Sequence, residues 1–284
     1  MNTPSQPLPA LFVSHGSPML ALEPGAAGAF MKRLGPAIDA QFGRPRAVLA
    51  VSPHTSARAP IVLGAPRHHA VHDFSGFPKA LYELQYAPAG DPALAQRVHA
   101  LLQDAGIESH LSEEGGLDHG IWSVLRFAWP DASVPVVPLA LVPTQSGAQQ
   151  WRIGQALAAL ADEGVLVMGT GSITHNLRLL FGASRPGVDA PEIAESRAFR
   201  DWVAQTVASG DRDALLDYRA RAPHAADMHP SDEHWQPIYI AAAAGGLEGA
   251  QRLHDSVTYG ALGMDAYAFG PGAKTLARAV SPVA

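Results

Sequence analysis

Leu11-Phe12-Val13-Ser14-His15-Gly16-Ser17-Pro18, Val48-Leu49-Ala50-Val51-Ser52-Pro53-His54 and Val165-Leu166-Val167-Met168-Gly169-Thr170-Gly171-Ser172-Ile173-Thr174-His175 share one pattern. Each is an apolar run that gives way to small polar residues and then to a histidine. Runs this continuous in Val, Leu, Ile and Ala suit strands covered on both faces, as in a parallel sheet. In such a sheet the carboxyl ends lie along one edge, where open α/β folds place their ligand crevice. One strand-end histidine alone reads as a turn residue or a hydrogen-bonded core imidazole. Three delivered to the same edge read as a metal or catalytic site, with the surrounding Gly and Pro supplying tight turns.

Working outward, strands are expected at Ala10–Ser14, Ala47–Ser52, Ile61–Gly64, Val134–Leu141, Val165–Gly169 and Ala266–Phe269. Helices are expected at Ala26–Phe42 with an interruption at Gly35-Pro36, at Pro92–Asp104 after a capping Asp91, and at Ala148–Asp162, Glu192–Ser209 and Glu233–Ala244. Alternating strands and helices imply an α/β fold. The expectation is one layered, largely parallel sheet flanked by helices, a single domain over residues 1–284, with its active site at the C-terminal edge of the strands. Gly182–Pro191 reads as a surface loop within that domain.

The 284 residues carry a formal net charge of −6, 13 histidines and no cysteine. Disulfides, thiolate metal sites and thiol nucleophiles are excluded, so imidazole and carboxylate must hold any metal. The mild acidity argues against binding a nucleic-acid backbone, which needs a concentrated basic face. The N-terminus has neither a basic segment nor an apolar core long enough for a signal peptide, and no run approaches a membrane span. A cytoplasmic protein is the expectation; oligomeric state leaves no mark in the sequence. Gly169-Thr170-Gly171-Ser172 follows a strand but lacks the third glycine and later acid of a dinucleotide site.

Two more histidines stand out. In Leu117-Asp118-His119-Gly120, Asp118 either orients His119 or caps the helix that follows. In His229-Pro230-Ser231-Asp232-Glu233-His234-Trp235, an N-cap at Ser231 or Asp232 puts His234 in a first helical turn. There the helix dipole suits a neutral, metal-bound imidazole, while the plainer reading is an exposed polar residue. His68, His69 and His72 have a spacing that does not aim them together, and loop structure is their reading.

Taken in order, Ser14-His15-Gly16-Ser17-Pro18, Ser52-Pro53-His54, His72-Asp73-Phe74-Ser75-Gly76-Phe77-Pro78, Asp118-His119-Gly120, Thr174-His175-Asn176 and Glu233-His234-Trp235 resemble the class III extradiol ring-cleavage dioxygenases. Within them the chain is most similar to the 4,5-DOPA dioxygenase-like branch of the LigB superfamily, including Gly76-Phe77-Pro78-Lys79-Ala80-Leu81-Tyr82. The resemblance implies metal ligands at His15, His54 and His234, an acid/base histidine at His175 and a substrate-pocket histidine at His119. It implies Fe(II) for activity, with zinc an alternative in the same site, and a small catecholic substrate opened with O2. The wider superfamily uses a glutamate as third ligand, and Glu233 and Asp232 adjoin His234. Pro53-His54-Thr55 also departs from the Ala-His-Trp of many relatives. Trp122, Phe74, Phe77, Tyr82 and Trp235 are candidate pocket walls, ordinary core packing being the expectation for at least half. Competing readings are a zinc-dependent hydrolase on the same fold and a non-enzymatic binding relative.

Overall fold

The structure, a computed structural model, describes residues 7–181 and 186–281. Its strands are β1 (Ala10–Ser14), β2 (Ala47–Ser56), β3 (Ile61–Leu63), β4 (His110–Ser112), β5 (Val136–Leu141), β6 (Val165–Gly171), β7 (Gln251–His254), β8 (Val257–Thr258), β9 (Leu262–Gly263) and β10 (Ala266–Phe269). Eight of them form one sheet in the order β4-β3-β5-β2-β6-β1-β10-β7; β8 and β9 make a small hairpin. The centre, β5-β2-β6-β1, is parallel throughout. Beyond it, β10 runs antiparallel to β1 and β7 antiparallel to β10. On the other side β3 is antiparallel to β5, and β4 parallel to β3. The α/β class and largely parallel sheet expected from the sequence are present, with the antiparallel joins confined to the flanks.

Alternation along each central strand explains the continuous apolar runs. Leu11 and Val13, Val48 and Ala50, and Leu166 and Met168 all face one layer, packing with Met31, Leu34 and Ile38 of helix Gly25–Phe42 and with Trp122 and Leu125 of helix His119–Ala128. Phe12 faces the opposite layer with Phe199, Val203 and Ile238, while Leu49, Val51, Val165 and Val167 meet Leu94, Val98 and Ile153 there. Both faces are therefore covered, and period-2 polarity never appears.

Helix Gly25–Phe42 is continuous, where an interruption at Gly35-Pro36 was expected. An interior proline costs about 3 kcal/mol or more, and burial of Phe30, Met31, Leu34 and Ile38 on the sheet offsets it. Gly35 is needed for approach: a Cβ there would lie 1.9 Å from the Ala128 carbonyl oxygen. The helix expected at Ala148–Asp162 divides into Gly147–Ala156, closed at its start by a Ser146–Gln149 capping box, and a short 3-10 turn at Ala158–Ala161. The strands absent from the sequence reading, β4 and β7–β9, are short and polar or only half-buried for the most part, so no apolar run marks them. Part of the Gly182–Pro191 loop lies outside the described residues.

Candidate active site

Backbone geometry at the C-terminal edge delivers each histidine. The His15 amide donates to the Gly171 carbonyl at 2.9 Å, so the residue after β1 is tied beside the end of β6. In β2, Ser52 pairs with Ala140 but the next partner pair is Ser56 with Leu141. Three residues of β2 bulge out against none of β5. Pro53 has no N–H to continue the ladder, and the bulge turns His54 toward the edge. The strand expected to stop at Ser52 thus resumes to Ser56. Asp118 clamps the bulge: its carboxylate accepts from Ser52 Oγ at 2.7 Å and Thr55 Oγ1 at 2.5 Å while capping Ile121 N at 3.3 Å. Capping, one of its two expected roles, is what Asp118 does.

His234 departs from expectation. The helix begins at Pro237, so His234 sits in the turn before it and not in a first helical turn. Pro237 takes N1, where its missing donor is harmless, and the turn closes by Trp235 and Gln236 amides donating to the Asp232 carbonyl. The His234 carbonyl accepts from Ser172 N at 3.0 Å, pinning the turn to the end of β6. Only glycine fits at 171, since a Cβ would lie 2.2 Å from that carbonyl oxygen. His175 is fixed by its own amide, which donates to the Met228 carbonyl at 2.8 Å.

The five histidines named from the sequence fall in two adjoining groups, His15, His54 and His119 in one and His175 and His234, with Glu233, in the other. His54 Nε2 lies 3.1 Å from His15 Nε2 and 3.2 Å from His234 Nε2. The three ring centroids are 5.0, 5.1 and 5.5 Å apart. Each outer nitrogen faces an oxygen. Thr170 Oγ1 donates to the Gly120 carbonyl at 2.9 Å and so accepts from His15 Nδ1 at 2.9 Å. Glu233 Oε1 lies 3.2 Å from His234 Nδ1, and Asp73 Oδ2 lies 3.4 Å from His54 Nδ1. With protons on Nδ1 toward these oxygens, the Nε2 lone pairs of His15 and His234 both point at His54 Nε2. A cation relieves that opposition, and oxygen partners on the outer nitrogens are the usual support of metal-bound imidazoles. With bonds of about 2.0–2.1 Å, tetrahedral ligands stand about 3.3 Å apart and cis octahedral ones about 2.9 Å, which brackets the separations here. The residues present therefore fit a metal ion.

His119 joins from the far side: one donor atom each from His15, His54 and His119 lies within 4.8 Å of the others, as does one each from His175, Glu233 and His234. His119 Nδ1 donates to both oxygens of Asp73 at 3.0 and 2.9 Å, and its amide to Asp73 Oδ1 at 2.9 Å. The His175 ring stacks on His234 at 3.4 Å and 8°. Burial holds His15 and His234 well below the ordinary imidazole pKa, assisted by the neighbouring imidazoles. Burial, then His119, lowers His54 to about 3, and burial lowers His175 to about 4 against the pull of Glu233. All four are neutral lone-pair donors at pH 7. Burial pushes Asp73 up, but the hydrogen bonds it accepts from the His119 ring and amide outweigh it and hold its carboxyl below the usual carboxylate value.

A cleft of about 600 Å³ opens onto this cluster, lined by His54, His119, His175 and His234. Of the expected walls, Phe74 and Phe77 line it. Trp122 is buried behind, donating to the Val71 carbonyl, and Trp235 is buried against Tyr218. Tyr82 props the Phe74–Phe77 loop through its hydroxyl. His68 accepts from Gly116 N and His72 pairs with the Leu84 carbonyl, the loop roles expected of them. The sequence reading missed Asp73, Thr170 and Glu233 as supports of the imidazoles. Asp73 stood within a quoted motif, but its partners are His119, 46 residues on, and His54 on a different strand.

The family described as "Catalytic LigB subunit of aromatic ring-opening dioxygenase" matches residues 9–270. The chain belongs to the LigB family. It is 32% identical over 266 residues to a 4,5-DOPA dioxygenase extradiol of Beta vulgaris, covering 91% of this chain and 95% of that one. To the 4,5-DOPA dioxygenase extradiol of Escherichia coli K12 it is 35% identical over 262 residues, 90% and 93% of the two chains. The crystal structure of an uncharacterized Escherichia coli K12 protein superposes with a TM-score of 0.75 at 28% identity, covering 93% of this chain and 100% of that one.

Proposed function

We propose that this protein is a metal-dependent extradiol dioxygenase that opens the ring of a catechol with O2, placing both oxygen atoms in the product. The observation that carries the reading is the convergence of the His15, His54 and His234 Nε2 lone pairs at the floor of an aromatic-walled cleft. These three would hold the metal, Fe(II) in the active enzyme. A bound Fe(II) would supply the electron path between a catechol and O2.

The protein's own groups handle the protons. His175, neutral at pH 7 and lining the cleft, accepts a proton from a catechol hydroxyl and returns it as the ring opens. His119 presents Nε2 to the substrate oxygens, and Asp73 behind it stabilises any charge it gains. The bulge at Pro53–Thr55, locked by Asp118, keeps the His54 ring from following the substrate. Phe74 and Phe77 exclude water from one flank.

Three neutral nitrogen donors also describe catalytic zinc sites that activate water, and the experiment separates the two. The metal-free protein is reconstituted anaerobically with Fe(II) or with Zn(II), then given a catechol panel in an oxygen electrode. Stoichiometric O2 uptake and a ring-opened product with Fe(II) alone are expected. Hydrolytic turnover with Zn(II), and no O2 uptake with Fe(II), would overturn the proposal.

A further inference from the structure

The walls of the cleft differ in how firmly they are held. Phe74 and Phe77 sit on a loop whose ties to the Tyr82 hydroxyl are long, 3.5 and 3.4 Å. Among the leucines that line the cleft, Leu262 is 2% exposed, against 8% for Leu180 and 51% for Leu177. Leu262 belongs to β9, in the hairpin that β8 and β9 form. At the turn of that hairpin, Tyr259 N donates to the Val188 carbonyl and Ile193 N to the Gly260 carbonyl, each at 2.9 Å.

Shorter bonds come from Thr174, the residue before His175. Its hydroxyl donates to the Ala261 carbonyl at 2.6 Å and accepts from Gly263 N at 2.6 Å, so it grips the residues on either side of Leu262. Thr174 is buried, and in that dry setting the two bonds are stronger than they would be in water. Gly263 leaves no slack: a Cβ there would lie 2.9 Å from Arg200 Cδ and 3.1 Å from Thr174 Oγ1. His175 does not depend on these bonds. Its amide is held by the Met228 carbonyl, and the Thr174 carbonyl accepts from the Ser172 hydroxyl. The backbone of this segment therefore serves His175, while the Thr174 side chain serves the wall.

We propose that Leu262 is the residue that limits the bulk of the substrate's ring substituent, and that Thr174 is the positioning residue that holds it at that limit. This inference rests on the ring-cleavage reading above. A wall that yields admits a larger group at little cost, whereas one fixed in a close-packed interior has to be overpacked. In an apolar pocket one methylene is worth about 10–200-fold in discrimination. Thr174→Val keeps the shape of the side chain but leaves the Ala261 carbonyl and the Gly263 N–H without their partner, which loosens the hairpin.

The experiment compares 4-methylcatechol with 4-tert-butylcatechol on the Fe(II)-loaded protein; both are uncharged, so the bulk of the substituent is what differs. Dissociation constants are measured by calorimetry without oxygen, and kcat and KM by oxygen uptake. The unaltered protein is expected to prefer the methyl compound by at least about tenfold, and Leu262→Ala to shrink that preference by about tenfold. Leu262→Val is expected to shrink it less, and keeps the test open if Leu262→Ala does not fold. Thr174→Val is expected to shrink it through the KM of the tert-butyl compound rather than through kcat on the methyl compound, and Thr174→Ser, which keeps the hydroxyl, to restore it. No preference in the unaltered protein, or an unchanged one in the Leu262 variants, overturns the role of Leu262. An equal loss of kcat on both compounds in Thr174→Val, with the preference intact, overturns that of Thr174. Each of these results leaves ring cleavage standing. Binding in the expected order without O2 uptake leaves the inference standing and overturns ring cleavage. Failure of both catechols to bind overturns both.

Discussion

Two buried polar clusters lie within this protein, and they are built on opposite principles. Around Arg200, opposite charges meet. Its Nε donates to Asp265 at 2.7 Å and a terminal nitrogen to Glu192 at 2.8 Å, with Asp255 completing the fork. Arg252 pairs with Asp255 at 2.7 Å and with Asp265. Around His54, by contrast, like meets like: neutral nitrogens turn their lone pairs toward each other, and the complementary oxygens stand behind them. The first cluster brings its own cations and is closed. The second offers a group of imidazoles able to hold a cation from outside. A buried polar group that is satisfied within the chain serves the fold; one aimed at an unfilled valence serves chemistry.

Substitutions should separate the clusters cleanly, starting with the largest effect. His15→Ala or His54→Ala is expected to abolish metal binding and O2 uptake together while the chain stays folded, as read by metal analysis and circular dichroism on the same sample. Retained metal in either variant breaks the contrast on the histidine side. Asp265→Ala leaves two guanidiniums without their buried partner and should cost about 3–5 kcal/mol in denaturant unfolding, with metal stoichiometry unchanged in the fraction that folds. Wild-type stability there would show the Arg200 cluster to be dispensable.

His175→Ala tests the boundary between holding metal and moving protons. Metal content should stay at wild-type level while kcat falls by about 10²–10⁴; full activity would remove His175 from the proton path. The smallest effect is on acid stability of the metal-free protein. His229, fully buried with Nε2 on the Ile173 carbonyl, is held at about 3, burial being the main cause. Its unfolded pKa is about 6.5, so below that value the unfolded chain binds a proton that the native state refuses. Stability should be full above pH 6.5 and fall by about 2 kcal/mol from this group alone by pH 5. His229→Gln should flatten that slope in pH-dependent urea titrations.

Much of this was readable before any coordinates. Continuous apolar runs ending in Ser14-His15, Ser52-Pro53-His54 and Gly171 through His175 placed the parallel centre and its functional edge, because burial on both faces leaves an unmistakable composition. The supports of the imidazoles were not readable. Asp73 meets His119 across 46 residues and Thr170 meets His15 across 155, and no local pattern encodes a contact of that span. The bulge at Pro53–Thr55 escaped for a related reason: proline signalled a strand end, yet the ladder resumes three residues on because β5 continues alongside. His234 was assigned to a helix that starts at Pro237, since the acidic residues before it mimic a first turn. The Arg200 cluster draws on Glu192, Asp255 and Asp265, which in sequence look like ordinary surface charges.

The spacing of the three converging imidazoles has a consequence for the order in which the molecule assembles. His15 and His54 are 39 residues apart, but His54 and His234 are separated by 180. On a growing chain the first two emerge early, and the third arrives only after β6 and the helix Ala194–Ser209 have been made. The donor set therefore closes late, when β6 is already in place to receive the His234 turn through Ser172. An ion held there would tie the first fifth of the chain to its last fifth, and so would act as a latch on folding already accomplished rather than as a seed for it.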